Sequence, residues 1–270
     1  MRWPAEAVWE AVAPLLPGFT VEVLPEIAST NTELMRRCRA GQTDPVLLVA
    51  EHQSAGRGRL GRHWHTPPGT ALTFSLGLVL QPADWGGLSL AVGTSLAESL
   101  GRASGADIRI KWPNDLWLHD CKLAGILIET AGAGVVPASP GLSRYVIIGV
   151  GINVCAPEGE WAPPPSGQTL AARPPAWLQD ASAALDAPAT LSAVAAPLVT
   201  DVLRFQAQGF AAFTERFARC DRLAGREVEL SDGRTGRGVG VSATGALRLE
   251  VAGVVQDVLS GDVSVRPLDP

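Results

Sequence analysis

Gly56-Arg57-Gly58-Arg59-Leu60-Gly61, followed by Arg62-His63-Trp64-His65-Thr66-Pro67-Pro68-Gly69, is the stretch on which the fold turns. Its glycines satisfy G-x-G-x-x-G, the fingerprint of a dinucleotide-binding fold, which requires them to open a helix whose N-terminus holds a pyrophosphate. The residues after Gly61 run into Pro67 and Pro68 and cannot continue as a helix, so the dehydrogenase reading falls. A second reading takes the alternating Gly and Arg as an RGG-like nucleic-acid segment, but such segments sit in disordered polar tracts and this one is bounded by apolar strands. A third is an ordered loop whose glycines let a ligand approach the backbone while Arg57, Arg59 and Arg62 supply charge to a carboxylate and a phosphate chain. In isolation the segment also reads as a solvated basic loop.

On the N-terminal side of the loop, Val8, Val12 and Leu15 have helical spacing within residues 4–16, and Val21 to Ile27 reads as a strand. Thr30-x-x-Glu33 has the form of a capping box, which predicts a helix to about Arg39. Val46 to Ala50 reads as a buried strand entering the loop. On the C-terminal side, Leu72, Phe74 and Leu76 alternate as a strand, and Leu88, Val92, Leu96 and Leu100 form a helical stripe. Ile108–Trp112, Leu116–Leu118, Leu123–Ile128 and Tyr145–Val154 then follow as strands whose short links favour a largely antiparallel sheet.

Residues 131–142 read as a flexible surface insertion, and 157–175 are too rich in proline for regular structure. Leu191 to Arg219 predicts one or two helices. Beyond Leu223 the chain changes to short β-runs separated by turns such as Asp232-Gly233 and Thr244-Gly245, which predicts a small barrel. The expected organisation is therefore a domain over 1–222 and a second over 223–270.

Almost half of the 270 residues are apolar, enough for a substantial core. A net charge of −5 argues against a general nucleic-acid binder, which needs excess Lys and Arg on its binding face. No apolar run reaches a membrane span and the N-terminus lacks a signal peptide's apolar stretch, so no membrane and a cytoplasmic location are expected. Cys38, Cys121, Cys155 and Cys220 form no C-x-x-C pair and read as reduced thiols in a core. His63 and His65 have no further local ligands, and no residue is assigned to a metal.

The positive charge is carried by arginine with only two exceptions, Lys111 and Lys122, and both fall in one hairpin. A lysine in such a chain marks a place for a compact ammonium rather than a planar fork, or else is chance in an arginine-rich composition. Lys111-Trp112-Pro113-Asn114-Asp115 sets a lysine, an amide and a carboxylate in a turn, and Lys122-Leu123-Ala124-Gly125-Ile126-Leu127 opens the next strand. Joining a carboxylate to the α-phosphate of ATP brings negative charges together, so it needs convergent cations and usually Mg²⁺.

With these segments in order, the chain resembles the biotin protein ligases, also called biotin–acetyl-CoA-carboxylase ligases. The matching segments are Ser29–Asn31, Glu51–Trp64, Lys111–Leu116, Lys122–Glu129 and Ile148–Val154, with a C-terminal match ending at Leu259–Arg266. The resemblance implies an α+β fold, a mixed, largely antiparallel sheet with helices of the class II aminoacyl-tRNA synthetase and biotin protein ligase kind, plus a small C-terminal SH3-like β-barrel. It implies formation of biotinyl-5′-AMP from biotin and ATP, then transfer to a lysine of a biotin carboxyl-carrier protein.

By motif match, Ser29, Thr30, Asn31 and Gln53 would hydrogen-bond the biotin head group, although Ser29 or Thr30 also reads as a helix cap. Arg57, Gly58 and Arg59 match the loop that wraps biotin and the adenylate phosphate, with Arg59 as the main charge. Lys122 matches the lysine at the carboxylate and phosphate. Arg62, Lys111, Asn114 and Gly125 would lie near the nucleotide, and Trp64 would pack against adenine. Asp115 would orient or deprotonate the incoming amine, a residue type equally common in turns. Gly149 and Gly151 would let the strand backbone approach the ligand, or mark a bulge. The loop is expected to be mobile when empty and ordered by ligand.

Some relatives carry an N-terminal DNA-binding domain; about thirty residues before the first motif are too few for one by ordinary size, so no DNA partner is expected. A homodimer through the central sheet is an implication of the resemblance alone. The nearest rival is a ligase of the same architecture acting on lipoate or another acid, and from another class comes the arginine-glycine nucleic-acid module.

Overall fold

The computed structural model describes residues 1–131, 143–158, 174–259 and 265–268. Nearly all of the expected 131–142 insertion and most of the proline-dense stretch lie outside the described residues.

A seven-stranded sheet organises the larger part. Its strands are β1 (Thr20–Ile27), β2 (Val46–Gln53), β3 (Ala71–Leu80), β4 (Arg109–Lys111), β5 (Asp115–Leu118), β6 (Cys121–Thr130) and β7 (Arg144–Asn153), in the order β1-β2-β3-β7-β6-β5-β4. Only β1 and β2 pair in parallel; every other neighbouring pair is antiparallel. The short links after β4 and β5 enforce this, because a parallel return needs a crossover. Cβ atoms alternate across a strand, so each strand serves two faces.

On one face Leu72, Phe74, Leu76 and Leu78 of β3 and Val146, Ile148, Val150 and Ile152 of β7 join the main core. That core is covered by α1 (Ala5–Val12), α3 (Leu88–Ser104) and α4 (Ala187–Gln208), with α5 (Thr214–Cys220) beside α3. The helix ends are legible: Asp186 Oδ1 accepts from the Ala189 amide to cap α4, and Gly105 takes φ +74 past the end of α3, where a side chain would be strained.

The other face is shared. The helix α2 (Thr30–Arg39) packs Leu34 and Cys38 onto Tyr145 and Ile147 of β7 and Val46 and Leu48 of β2. Fully burying Leu34 contributes on the order of 2 kcal/mol. Farther along β7 the same face carries Gly149, Gly151 and Asn153, and there α2 gives way to a pocket.

The capping of α2 differs from expectation. Ser29, not Thr30, is the N-cap and accepts from the Thr32 amide, while Glu33 pairs with Arg36 and Arg37 rather than closing a capping box. Residues 4–16 yield a shorter helix than their spacing predicts, and β3 is buried on both faces instead of alternating, because α2 and α4 sandwich it.

A second, five-stranded antiparallel sheet comprises β8 (Glu227–Leu230), β9 (Thr235–Val241), β10 (Leu247–Val251), β11 (Val254–Val258) and β12 (Val265–Pro267). The order is β11-β10-β9-β8-β12, and among the described residues no pair joins β11 to β12. It packs on the larger part through the β9–β10 turn, where Trp112 Nε1 donates to Gly245 O at 3.0 Å. No described helix is long and apolar enough to cross a membrane. All four cysteines are free, Cys38 and Cys220 buried and Cys121 and Cys155 half-exposed.

Candidate active site

The pocket lies where the N-terminus of α2, the glycine-arginine loop and the β4–β5–β6 hairpins meet. Every residue singled out from the sequence lines it: Ser29, Thr30, Asn31 and Gln53 at one end, Lys111, Asn114, Asp115, Lys122 and Gly125 at the other. Arg57, Gly58, Arg59, Arg62 and Trp64 span the two ends.

At the first end a hydrogen-bonded chain fixes the polar side chains. Gln53 Oε1 accepts from the Thr30 amide at 2.8 Å and the Thr30 hydroxyl at 3.1 Å. The buried Ser75 hydroxyl lies 2.6 Å from both Thr30 Oγ1 and Asn31 Oδ1. Asn31 Nδ2 donates to Leu127 O and to Glu129 Oε2 at 2.9 Å. Buried polar groups need such partners, and the chain leaves these side chains little freedom.

At the other end the positive charges are set in depth. Lys122 Nζ lies 2.7 Å from Asp115 Oδ1, so the carboxylate expected to meet an incoming amine is ion-paired. Lys111 sits 5.3 Å from the centre of the Trp117 ring, and burial draws its pKa below the ordinary lysine value. Asp115 opposes that shift; Lys122 and Arg62 reinforce it. Arg59 is also lowered by burial, with Asp115 opposing and Arg62 adding to the shift.

The loop is a closed hairpin. Trp64 N donates to Gly56 O at 2.9 Å, Gly58 N to Arg62 O at 2.7 Å, and the chain reverses at Leu60 and Gly61, both at positive φ. It opens no helix, as the prolines require. Arg59 Nη1 donates to Asn114 Oδ1 at 3.1 Å, whereas Arg57 Nη1 lies 3.0 Å from Glu129 Oε1. Arg57 is thus engaged with protein.

Gly149 and Gly151 line the pocket and also admit neighbouring side chains. A Cβ on Gly149 would meet Asn31 Oδ1 at 2.2 Å, and one on Gly151 would meet Trp64 Cε2 at 2.5 Å. They make room for these two side chains. The Trp64 ring lies over Gly125 and Gly151, with Lys122 Nζ 5.7 Å from its centre.

Sequence reasoning gave no role to Ser75 or Glu129. Ser75 stands with Thr73 as a polar pair two apart in an apolar strand, and Glu129 ends the apolar run of β6; those interruptions were the available signals. Val265 of β12 also lines the pocket, which the second sheet therefore helps to enclose.

Fold and pocket fall together in the biotin/lipoate A/B protein ligase family, whose model matches residues 23–153. Over 256 residues the chain is 35% identical to the bifunctional ligase/repressor BirA of Escherichia coli, covering 93% of this chain and 75% of that protein. It is 33% identical over 242 residues to the biotin–[acetyl-CoA-carboxylase] ligase of Paracoccus denitrificans, covering 84% of this chain and 92% of the relative. The biotin protein ligase of Aquifex aeolicus, solved with biotin and ATP, superimposes with a TM-score of 0.73 at 27% identity, covering 92% and 98% of the two chains. The chain belongs to the biotin protein ligases.

Proposed function

We propose that the chain joins biotin to ATP as biotinyl-5′-AMP and passes the biotinyl group to a lysine of a biotin carboxyl-carrier protein, such as that of acetyl-CoA carboxylase. The observation that carries this is one pocket with a neutral hydrogen-bonding end, a cationic end and an arginine loop across both. A cyclic urea with a carboxylate tail suits that division.

In the first step a biotin carboxylate oxygen attacks the α-phosphorus of ATP, and the bond to pyrophosphate breaks. Arg59, Lys111 and Lys122 offset the negative charges that converge there, and Arg62 stands at the loop's exposed rim. In the second step the carrier lysine's amine attacks the acyl carbon and AMP leaves. Asp115 accepts or orients the amine's proton, and its contact with Lys122 holds the carboxylate at the pocket's cationic end. Ser29, Thr30, Asn31 and Gln53 orient the head group, with Arg57 and Gly58 closing over it. Trp64, whose ring lies over Gly125 and Gly151, packs against adenine, with Asn114 near the nucleotide.

Asp115 is the one carboxylate among the lining residues, and no described cluster of His, Cys, Asp or Glu could hold a metal ion. These residues do not fit a resident metal site, so Mg²⁺ enters as the partner of the ATP phosphates. A cytoplasmic location, the 1–222 and 223–270 domain boundaries and a homodimer complete the proposal. Sedimentation with and without biotin and ATP tests the last.

ATP–pyrophosphate exchange with biotin, lipoate and octanoate side by side tests the central reading. Biotin alone should support rapid exchange. Exchange driven equally by lipoate would point to the rival ligase.

A further inference from the structure

The loop that spans the pocket is tied down at both ends. At the nucleotide end Arg59 donates to Asn114, and at the head-group end Arg57 meets Glu129. Glu129 does more than hold Arg57. Its Oε2 also accepts from Asn31 Nδ2 at 2.9 Å, so one half-buried carboxylate touches both the loop and the pocket floor.

We propose that Glu129 is a positioning residue that couples closure of the Gly56–Trp64 loop to the orientation of the Asn31 amide. The inference rests on reading this pocket as the acid-binding site.

The chemistry follows from the acceptor-only character of a carboxylate. Because Glu129 and Leu127 O both accept, Asn31 must turn Nδ2 towards β6 and Oδ1 towards Ser75 and Gly149. An amide turned the other way would set an oxygen against two acceptors. Asn31 Oδ1 keeps one lone pair beyond its bond from Ser75, so the floor is fixed as an acceptor for a ligand N–H. The same carboxylate neutralises Arg57, which leaves the cationic work to Arg59, Lys111 and Lys122. Loop opening frees a charge on Glu129 and loosens the amide; ligand that engages the ordered amide favours the closed loop in return.

Three variants separate the two contacts. Glu129→Gln can still accept from Asn31 but loses the ion pair with Arg57; Arg57→Gln removes the same pair from the loop side; Glu129→Ala loses both contacts. The first readout is chymotrypsin cleavage after Leu60 and Trp64 in the ligand-free protein. Glu129→Gln and Arg57→Gln should each speed cleavage roughly fivefold, the size expected of a partly exposed ion pair, and the double variant should be no faster than either. The second readout is biotin-dependent exchange, where Glu129→Ala should raise the biotin KM by about tenfold with a smaller change in kcat, since one of the two Asn31 amide protons loses its charged acceptor.

Unchanged cleavage in Glu129→Gln, or additive effects in the double variant, would overturn the coupling. An unaltered biotin KM in Glu129→Ala would overturn the amide half. Absence of biotin-dependent exchange in the unsubstituted protein would instead sink the functional reading, while the cleavage arm would still report on the latch. Should Glu129→Ala fail to fold, the two glutamine variants still decide the loop contact, and Glu129→Leu, which fills the space without accepting from Asn31, carries the KM measurement.

Discussion

Replacing Gly149 by alanine adds one methyl group at the centre of the sheet and should dismantle the pocket floor. The new Cβ would stand 2.2 Å from Asn31 Oδ1, 2.8 Å from its Cγ and 3.0 Å from its Nδ2. Gly149 cannot retreat, because it is paired with Ser75 on one side and Leu127 on the other. Asn31 must yield, and it surrenders its contact with Ser75 and its bonds to Leu127 O and Glu129. Two such neutral bonds at about 1 kcal/mol each and one to a carboxylate at about 1.5 kcal/mol give a loss of about 3.5 kcal/mol. Overpacking on its own costs a similar ~1–3 kcal/mol. Urea unfolding at pH 7 should show this loss, with a fall of about 7–14 °C in Tm. The biotin KM should rise with it. Adding Asn31→Ala to Gly149→Ala relieves the clash and should return part of the stability but none of the biotin affinity. Gly149→Ala within about 0.5 kcal/mol of the parent, the range of a neutral surface change, and with normal KM would refute the reasoning.

Arg59→Gly removes the bond to Asn114 and a charge beside the phosphate, so adenylate should dissociate about tenfold to a hundredfold faster, as for loss of a charged hydrogen bond; a stopped-flow chase showing an unchanged rate would contradict this. Biotin plus ATP should protect residues 56–66 from proteolysis, and equal cleavage with and without saturating ligand would count against a closing loop. Burial draws the Lys111 ammonium below its ordinary pKa, so ATP affinity should decline at alkaline pH sooner than an ordinary lysine would dictate. Lys111→Arg should flatten that decline, and identical profiles would remove Lys111 from the site. Hydrogen bonds from Arg36 and Arg37 hold Glu33 down to about 2, so its contribution is present above the ordinary carboxylate value and fades as pH falls towards 2. Glu33→Gln should therefore be less stable by about 0.5 kcal/mol at pH 7, with the gap closing under acid; a constant gap would refute the assignment.

Much of this molecule was legible along the chain. The prolines behind Gly61 excluded a nucleotide-binding helix, and the structure has a hairpin there, turned by a single 3-10 turn at Arg59–Gly61. The two lysines, expected in one hairpin, stand on β4 and β6 on either side of β5, because two successive hairpins join these strands; both line the pocket, and the short links between β4, β5 and β6 gave the antiparallel pairing. Less legible were the partners. Thr30 looked like the cap of α2 because the spacing to Glu33 suits a capping box, but two arginines one turn on compete for that carboxylate more strongly than a backbone amide does. Gly149 and Gly151 line the pocket, but that they also admit Asn31 and Trp64 was not legible, because those side chains are remote in sequence.

By itself, then, the sequence determined which segments are helix, strand or sharp turn, and which residues carry charge into the site. Those properties depend on neighbours a few positions away. Tertiary structure alone decided that Ser75 and Glu129 hold Asn31, that Asp115 pairs with Lys122, and that Arg57 and Arg59 anchor at opposite ends of the pocket. Hydrogen bonds and steric fit act over about 3 Å through space, and the strand register that brings such atoms together is set by the whole sheet.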